Sequence, residues 1–275
     1  MQGIREAVVA GRFYPAEPVV LRKMLEKFLR EPPAAEASAS SGEALGMMVP
    51  HAGYCYSGAI AGAVFGSTPI PERVILLGPN HTGKGRPWSV YASGSWRTPL
   101  GDVRVDAELA SSILQGCPGT AADEVAHRFE HSLEVELPFL QVLSPETEIV
   151  PICIGAGSKE QLIAFGEHLA AVVKASARRI LMVVSSDMTH YEPAEVAAEK
   201  DRLALAHVLA LDAEGLYQTV RGRRITMCGI LPMTVMLAAA RCLGATTAEL
   251  VRYGNSGQAQ DDGAPVVGYA GVVIR

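Results

Sequence analysis

The stretch VILLGPNHTG, residues 74–83, decides the fold that we predict for this chain. Its first half is a short apolar run with β-branched residues, which is typical of a strand buried on both faces of a sheet. The run ends in Gly-Pro-Asn, a turn signal, and His81 follows at once. Open α/β sheets bind ligands at the carboxyl ends of their strands. We therefore predict that His81 lies at a binding edge.

Two other segments repeat this pattern. The apolar run GMMVP at residues 46–50 leads into His51, and the run ILMVV at residues 180–184 leads into SSDMTH, which ends at His190. If the three strands are parallel neighbours, their carboxyl ends share one edge and the three imidazoles converge there. This adjacency is an inference from the pattern, since the sequence does not state strand order.

Helical periodicity alternates with the strands. We also predict apolar strands at residues 148–154, near residue 250 and at residues 266–274. The alternation predicts a three-layer α/β/α fold with a central, mixed, largely parallel sheet. The predicted helices cover residues 17–30, 57–66, 106–115 with Asp106 as N-cap, 130–140 with a restart at Pro138, 158–175, 194–221 with a break at Gly215, and 226–243.

Composition narrows the class of protein. The chain has 275 residues and 49% hydrophobic residues, so we expect one domain spanning residues 1–275, with the Pro-, Ala- and Ser-rich residues 32–44 as a flexible surface loop. A net charge of -5 with both signs scattered argues against a nucleic-acid partner. We expect no signal peptide, because the first residues include Arg5 and Glu6 and lack an apolar segment. No apolar run has membrane-spanning length, and the five cysteines contain no CxxC pair. We expect a cytoplasmic protein with free thiols and no membrane partner.

Several side chains are candidates for chemistry. Asp187 stands three residues before His190 and can orient its ring. Cys228 lies in Cys-Gly at the start of a predicted helix, where backbone N–H groups favour a thiolate. His131 and Glu134 are three residues apart on a predicted helix and would share a face. Among the other cysteines and histidines, Cys153 and Cys242 are expected in the core, and His127, His168 and His207 are expected to be structural. Cys55 lies beside the His51 turn without a clear partner.

Two imidazoles and one thiolate would suit iron, zinc or copper and leave coordination positions open. The chain has neither CxxC nor HExxH spacing, so the residues alone predict a polar His/Cys/Asp pocket. Cys228 is then a metal ligand, a nucleophile or a buried thiol. The long segment after His81, which holds Trp88 and Trp96, is predicted to cover a site, although a short hairpin within it is an alternative.

Seven segments, in order along the chain, resemble the Memo family, also named AmmeMemoRadiSam system protein B. That family resembles the class III extradiol dioxygenases, whose α/β fold holds a non-haem iron. The segments are AGRFYP at 10–15, PHAGY at 50–54, LGPNH at 77–81, TPLG at 98–101, EHSLE at 130–134, SSDMTH at 185–190 and CG at 228–229.

The resemblance implies roles for particular residues. His51 and His81 match two metal-binding histidines, and Cys228 matches the cysteine that completes the site in Memo. The dioxygenases have a carboxylate there, so Cys228 departs from their pattern. His190 falls at the position of their acid/base histidine, with Asp187 lining the same pocket. His131 and Glu134 are candidates for supporting the ligands from behind.

The function implied by the resemblance is redox or oxygenase activity on an unidentified small molecule or peptide, with Fe(II) as the expected metal and Cu or Zn as alternatives. The family name implies an AMMECR-type protein and a radical SAM protein as partners. Two other functions stay open. One is a non-catalytic module that binds a peptide or phosphorylated ligand, with Trp88 and Trp96 as an aromatic wall. The other is a hydrolase that uses Cys228 with His190 and requires a depressed Cys228 pKa.

Overall fold

The computed structural model describes residues 3–30, 43–259 and 264–275. Most of the predicted loop, residues 32–42, lies outside this range. The strands are β1 Ile4–Arg5, β2 Gly46–Val49, β3 Arg73–Pro79, β4 Trp88–Val90, β5 Ser95–Thr98, β6 Gly101–Arg104, β7 Ala121–Ala122, β8 Glu148–Ile154, β9 Ile180–Ser185, β10 His190–Glu192, β11 Ala248–Asn255 and β12 Val266–Ile274. The helices are α1 Pro18–Leu29, α2 Tyr54–Phe65, α3 Ala107–Gly116, α4 Leu137–Leu143, α5 Lys159–Ala175, α6 Ala194–Leu209, α7 Ala213–Gly222 and α8 Ile230–Leu243.

A large mixed sheet forms the middle layer of the described chain. Its strand order is β10-β12-β2-β9-β3-β8-β4-β7, with β11 paired to β12. The central strands β2, β9, β3 and β8 are parallel, whereas β12 runs antiparallel to β2 and β4 antiparallel to β8. A second small sheet joins β1, β5 and β6. The predicted mixed, largely parallel sheet is therefore confirmed.

Alternating side chains of the central strands are buried in two hydrophobic cores, one on each face of the sheet. In β3, Ile75 and Leu77 pack with α3, α5, α7 and α8 on one face of the sheet. Val74 and Leu76 pack with α1, α2 and α4 on the other face. Since all four side chains are fully buried, β3 must be apolar on both faces, which is why its sequence is a continuous apolar run. The three layers follow from this double burial.

The strands that precede the histidines are neighbours. β9 lies between β2 and β3 and is parallel to both, with Val49 opposite Ser185 and Leu77 opposite Val184. Their carboxyl ends therefore meet at one edge of the sheet. This confirms the strand adjacency on which the predicted convergence depends.

The structure corrects two predicted helices. Residues 126–133 are not helical, and a single 3-10 turn at Glu134–Glu136 leads into α4, so His131 and Glu134 do not share a helix face. The break in the predicted helix 194–221 falls before Asp212, not at Gly215, because Leu211 takes a positive φ of 55° and Asp212 caps α7. The restart near Pro138 and the Asp106 cap are confirmed.

The segment after His81 is also more regular than predicted. Trp88 lies in β4 and Trp96 in the β5–β6 hairpin, with exposed fractions of 9% and 0%. Both indoles belong to the core, so they cannot form the aromatic wall of a binding pocket. Cys242, expected in the core, is exposed on α8, whereas Cys153 is buried as expected. Of the helices in the described residues, none combines the length and the apolar character that crossing a bilayer requires.

Candidate metal centre

Three side chains from separate parts of the chain meet at the carboxyl edge of the sheet. His51 follows β2, His81 follows β3, and Cys228 immediately precedes the N-cap residue of α8. One ligand atom from each lies within 4.8 Å of the others. The His51 Nε2 atom is 3.4 Å from the Cys228 Sγ atom, and the two imidazole centroids are 5.2 Å apart.

His51 enters this site from a buried position. Its backbone N–H donates to Asp187 Oδ1 at 2.8 Å, and its Nδ1 atom lies 2.7 Å from the Ser185 hydroxyl. Burial, reinforced by the nearby His81 and His131 rings, lowers the pKa of His51 well below its usual value. The imidazole is therefore neutral, and its Nε2 atom is the one that faces Cys228.

His81 has a charged partner. Its backbone N–H and its Nδ1 atom both bond to the Glu130 carboxylate, at 2.6 and 2.8 Å. Burial alone would lower the pKa of His81, but the hydrogen bond and negative charge of Glu130 outweigh it and raise that pKa. Because Glu130 engages Nδ1, the Nε2 atom of His81 is left for a ligand.

The Glu130 carboxylate accepts several hydrogen bonds. Besides His81, the backbone N–H groups of His131 and Ser132 both donate to its Oε1 atom at 3.0 Å. Burial alone would raise the pKa of Glu130, yet these bonds lower it to about 2. A second His81/Glu130/His131 group has the spacing of a metal site. Since the Glu130 oxygens already accept four hydrogen bonds, we interpret Glu130 as the support of His81 and not as a ligand.

Cys228 lies where the start of α8 packs closely against the loop that follows β9. Its Sγ atom accepts the Asp187 backbone N–H at 3.2 Å. A Cβ on Gly229 would lie 2.3 Å from the Ser186 Cβ, so only glycine lets the start of α8 come this near to the loop after β9. Burial, followed by the charge of Asp187, raises the pKa of Cys228. This direction is opposite to the thiolate predicted from the helix start, because desolvation outweighs the backbone N–H groups.

Asp187 and His190 lie beside the three candidate ligands. Asp187 Oδ2 is 3.9 Å from His51 Nε2, and burial raises the pKa of Asp187 to about 6. His190 Nδ1 lies 2.9 Å from the Thr226 carbonyl oxygen, which can only accept. In its neutral form, His190 would therefore carry its proton on Nδ1 and have a lone pair on Nε2. These two groups can hold and accept protons at the site.

His131 and Glu134, predicted as supports, have different positions. The His131 ring stacks on His81 with centroids 4.9 Å apart, and the Phe13 ring packs against His131 with centroids 4.8 Å apart. Glu134 faces the N-terminal segment, where it pairs with Arg5 and accepts hydrogen bonds from the Tyr14 hydroxyl and two backbone N–H groups. Glu134 thus holds in place the segment that carries Phe13.

Sequence reasoning missed three residues that support the imidazoles, namely Glu130, Ser185 and Glu136. A partial signal was present in the sequence, because Glu130, Glu134 and Glu136 recur within one short segment. In the structure all three are fully buried. Acidic residues are seldom buried without partners. Such a cluster therefore indicates buried hydrogen-bond networks, although the sequence does not say with which residues.

The comparisons with known proteins identify the family of this chain. The family model described as Memo-like protein matches residues 5–273. A MEMO1 family protein of Methanosarcina barkeri is 41% identical over 273 residues, covering 99% of this chain and 100% of that protein. One of Aquifex aeolicus is 42% identical over 272 residues, covering 98% of this chain and 99% of that protein.

A solved structure supports the fold. The crystal structure of an uncharacterized protein from Escherichia coli K12 matches with a TM-score of 0.56 and 15% identity, covering 84% of this chain and 99% of that chain. At this identity the likeness concerns the fold alone. The family match over nearly the whole chain, together with relatives near 40% identity, shows that this chain belongs to the Memo-like family.

Proposed function

We propose that this chain is a metalloprotein that binds non-haem iron through His51, His81 and Cys228 and has redox or oxygenase activity. The observation that carries the proposal is the meeting of three ligand atoms within 4.8 Å of one another, with the Nδ1 atom of each imidazole already engaged elsewhere. Metal-binding histidines typically have this arrangement, in which the second ring nitrogen is fixed by a protein group.

The donor set fits iron. Two neutral imidazoles and one thiolate suit borderline metals, and three protein ligands leave positions open for other molecules. Copper and zinc accept the same donors and are the alternatives. The raised pKa of Cys228 belongs to the metal-free thiol, which would release its proton on binding a cation. Bound iron would supply Lewis acidity and redox chemistry.

The remaining polar groups would handle protons. His190, with Nδ1 committed to the Thr226 carbonyl oxygen, offers the Nε2 lone pair as a general base. Burial raises the pKa of Asp187 above the ordinary range of an aspartate, so this carboxyl can hold a proton as well as accept one. Its hydrogen bond to the His51 backbone fixes its position beside the ligands. A small-molecule or peptide substrate stays a prediction, as do the AMMECR-type and radical SAM partners that the family name implies.

The test is anaerobic loading with Fe(II), followed by elemental analysis of the desalted protein. We expect about one iron per chain in the wild type and its loss in His51→Ala, His81→Ala and Cys228→Ala. His168→Ala and Cys242→Ala are matched controls, because both residues are exposed and lie outside the site. Parallel loading with Cu and Zn identifies the preferred metal.

Well-folded wild-type protein that takes up none of these metals would contradict the proposal. Equal loss of iron in the two control variants would contradict the assignment of the ligands. The Cys228–His190 hydrolase has less support than the metal site, because the raised thiol pKa disfavours a free nucleophile.

A further inference from the structure

Ser185, at the end of β9, lies at the centre of a buried hydrogen-bond network behind His51. Its Oγ atom is 2.8 Å from the Ser132 carbonyl oxygen, 3.0 Å from Glu136 Oε1 and 2.7 Å from His51 Nδ1. Ser185, Ser132 and Glu136 are all fully buried. Bulk water does not reach these groups, so the hydrogen bonds among Ser185, Ser132, Glu136 and His51 must satisfy one another.

Counting donors determines the direction of each bond. A serine hydroxyl has one hydrogen and two acceptor lone pairs, and a carbonyl oxygen can only accept. The Ser185 proton must point to Ser132, because otherwise two oxygen lone pairs would face each other at 2.8 Å in a buried place. Both other neighbours must then donate to Ser185. Glu136 would do so as a carboxylic acid, and His51 through Nδ1–H.

The surroundings of Glu136 support a neutral acid. The buried carboxylates Glu130 and Glu134 each accept several hydrogen bonds, and Glu134 also pairs with Arg5. Among the described residues, the Glu136 side chain has a hydrogen bond only with Ser185, and its Oε2 atom has no partner. Burial raises the pKa of Glu136, and the negative charge of Asp187 acts in the same direction.

We propose that Glu136 and Ser185 are positioning residues: neutral Glu136 donates to Ser185, which accepts His51 Nδ1–H and so keeps the His51 Nε2 lone pair facing Cys228. The inference deepens the metal site and, for its effect on iron affinity, depends on the proposed function. His51 would then be fixed by an uncharged relay, in contrast to the ionised Glu130 that fixes His81.

The first test uses the metal-free full-length protein at pH 8. Infrared spectroscopy of the wild type should show the C=O stretch of a buried carboxylic acid, which is lost in Glu136→Gln and kept in Asp187→Asn. Nitrogen-15 NMR of the histidine rings, with His51 assigned by His51→Gln, should find the Nδ1–H tautomer. Absence of the acid band, or an Nε2–H tautomer, would overturn the inference.

The second test measures Fe(II) affinity by competition with a chelator. Ser185→Ala and Glu136→Met remove the relay, so we expect about tenfold weaker binding, the lower end for a group that supports a metal ligand. Glu136→Gln keeps an N–H donor toward Ser185 and should restore wild-type affinity. Equal weakening in Glu136→Gln and Glu136→Met would overturn the positioning role.

The two tests separate this inference from the proposed function. The infrared and NMR measurements need no metal, so the expected acid band and tautomer in a protein that never binds iron would support the relay while the metal site fails. Iron binding without the acid band would overturn the relay while the metal site stands. If Ser185→Ala does not fold, the infrared comparison of the wild type with Glu136→Gln still tests whether Glu136 is a neutral acid.

Discussion

His51 and His81 enter one site from neighbouring strands, yet their surroundings are opposite. The His51 side chain is 2% exposed and bonds through Nδ1 to a neutral hydroxyl, whereas that of His81 is 34% exposed and bonds to an ionised carboxylate. The pKa of His51 is lowered by burial, while that of His81 is raised against burial by Glu130. Two histidines at one site can therefore differ in basicity, because one is buried beside a neutral hydroxyl and the other is paired with a carboxylate.

The largest effect on this comparison should come from Glu130→Gln. The change removes the charge that fixes His81, while its amide cannot accept all four N–H groups that the carboxylate binds. We expect the free energy of unfolding to fall by about 3 kcal/mol and Fe(II) affinity to fall about 10- to 100-fold. Urea denaturation and iron titration measure both, with the exposed Glu124→Gln as control. A stability loss no larger than that of the control would mean that Glu130 contributes little.

The loss of stability in Glu130→Gln should depend on pH. The folded-state pKa of Glu130 is lowered to about 2 from an ordinary value of 4.5. Its stabilisation is therefore fully present above pH 4.5 and is lost as the pH falls toward 2, because in this range the unfolded carboxyl binds a proton while the native carboxylate stays ionised. The difference in unfolding free energy between wild type and Glu130→Gln should shrink by about 1 kcal/mol between pH 4 and pH 3. A difference that is constant from pH 6 to pH 3 would contradict the assignment.

Glu136→Gln should have the opposite pH dependence. The folded-state pKa of Glu136 is raised, so its contribution to stability is present below the unfolded pKa near 4.5 and is lost as the pH rises. Relative to Glu136→Gln, the wild type should lose about 1 kcal/mol of unfolding free energy between pH 5 and pH 6. Thermal or urea denaturation across this range measures the trend.

Two ionisable neighbours bear on the Glu136 measurement. Asp187 and Tyr54 both interact electrostatically with Glu136, and the pKa of Asp187 is itself raised to about 6. The same comparison should therefore be repeated in an Asp187→Asn background. A wild-type curve parallel to that of Glu136→Gln from pH 5 to pH 8 would mean that Glu136 is ionised in the native state.

The smallest effect is expected from Phe13→Ala. Phe13 packs against His131, which in turn stacks on His81. The substitution therefore weakens only the packing around His81 and leaves the hydrogen bonds of His51 unchanged. We expect a loss of about 1 kcal/mol of unfolding free energy and a change in Fe(II) affinity below about threefold. Phe129→Ala is the control, because that ring is 59% exposed. A large loss of iron would instead assign Phe13 a direct part in holding His81.

Local patterns in the sequence determined the strands and their ends. The continuous apolar runs before His51 and His81 predicted buried parallel strands, because a strand covered on both faces must be apolar at every position. The prediction of a helix over residues 130–140 failed for its first residues, because the Glu130 side chain accepts the backbone N–H groups of His131 and Ser132, which periodicity does not reveal. The predicted thiolate at Cys228 failed because desolvation depends on what packs around the thiol.

By itself, then, the sequence determined the fold class and the positions of the histidines at strand ends, since both follow from short-range patterns of apolar residues and turns. Only the tertiary structure decided which groups meet there. Cys228 and His51 are 177 residues apart in the chain, and His51 and Ser185 are 134 apart. The parallel order of β2, β9 and β3 and the close approach at Gly229 bring them together, because strand pairing and packing join segments that no local pattern relates.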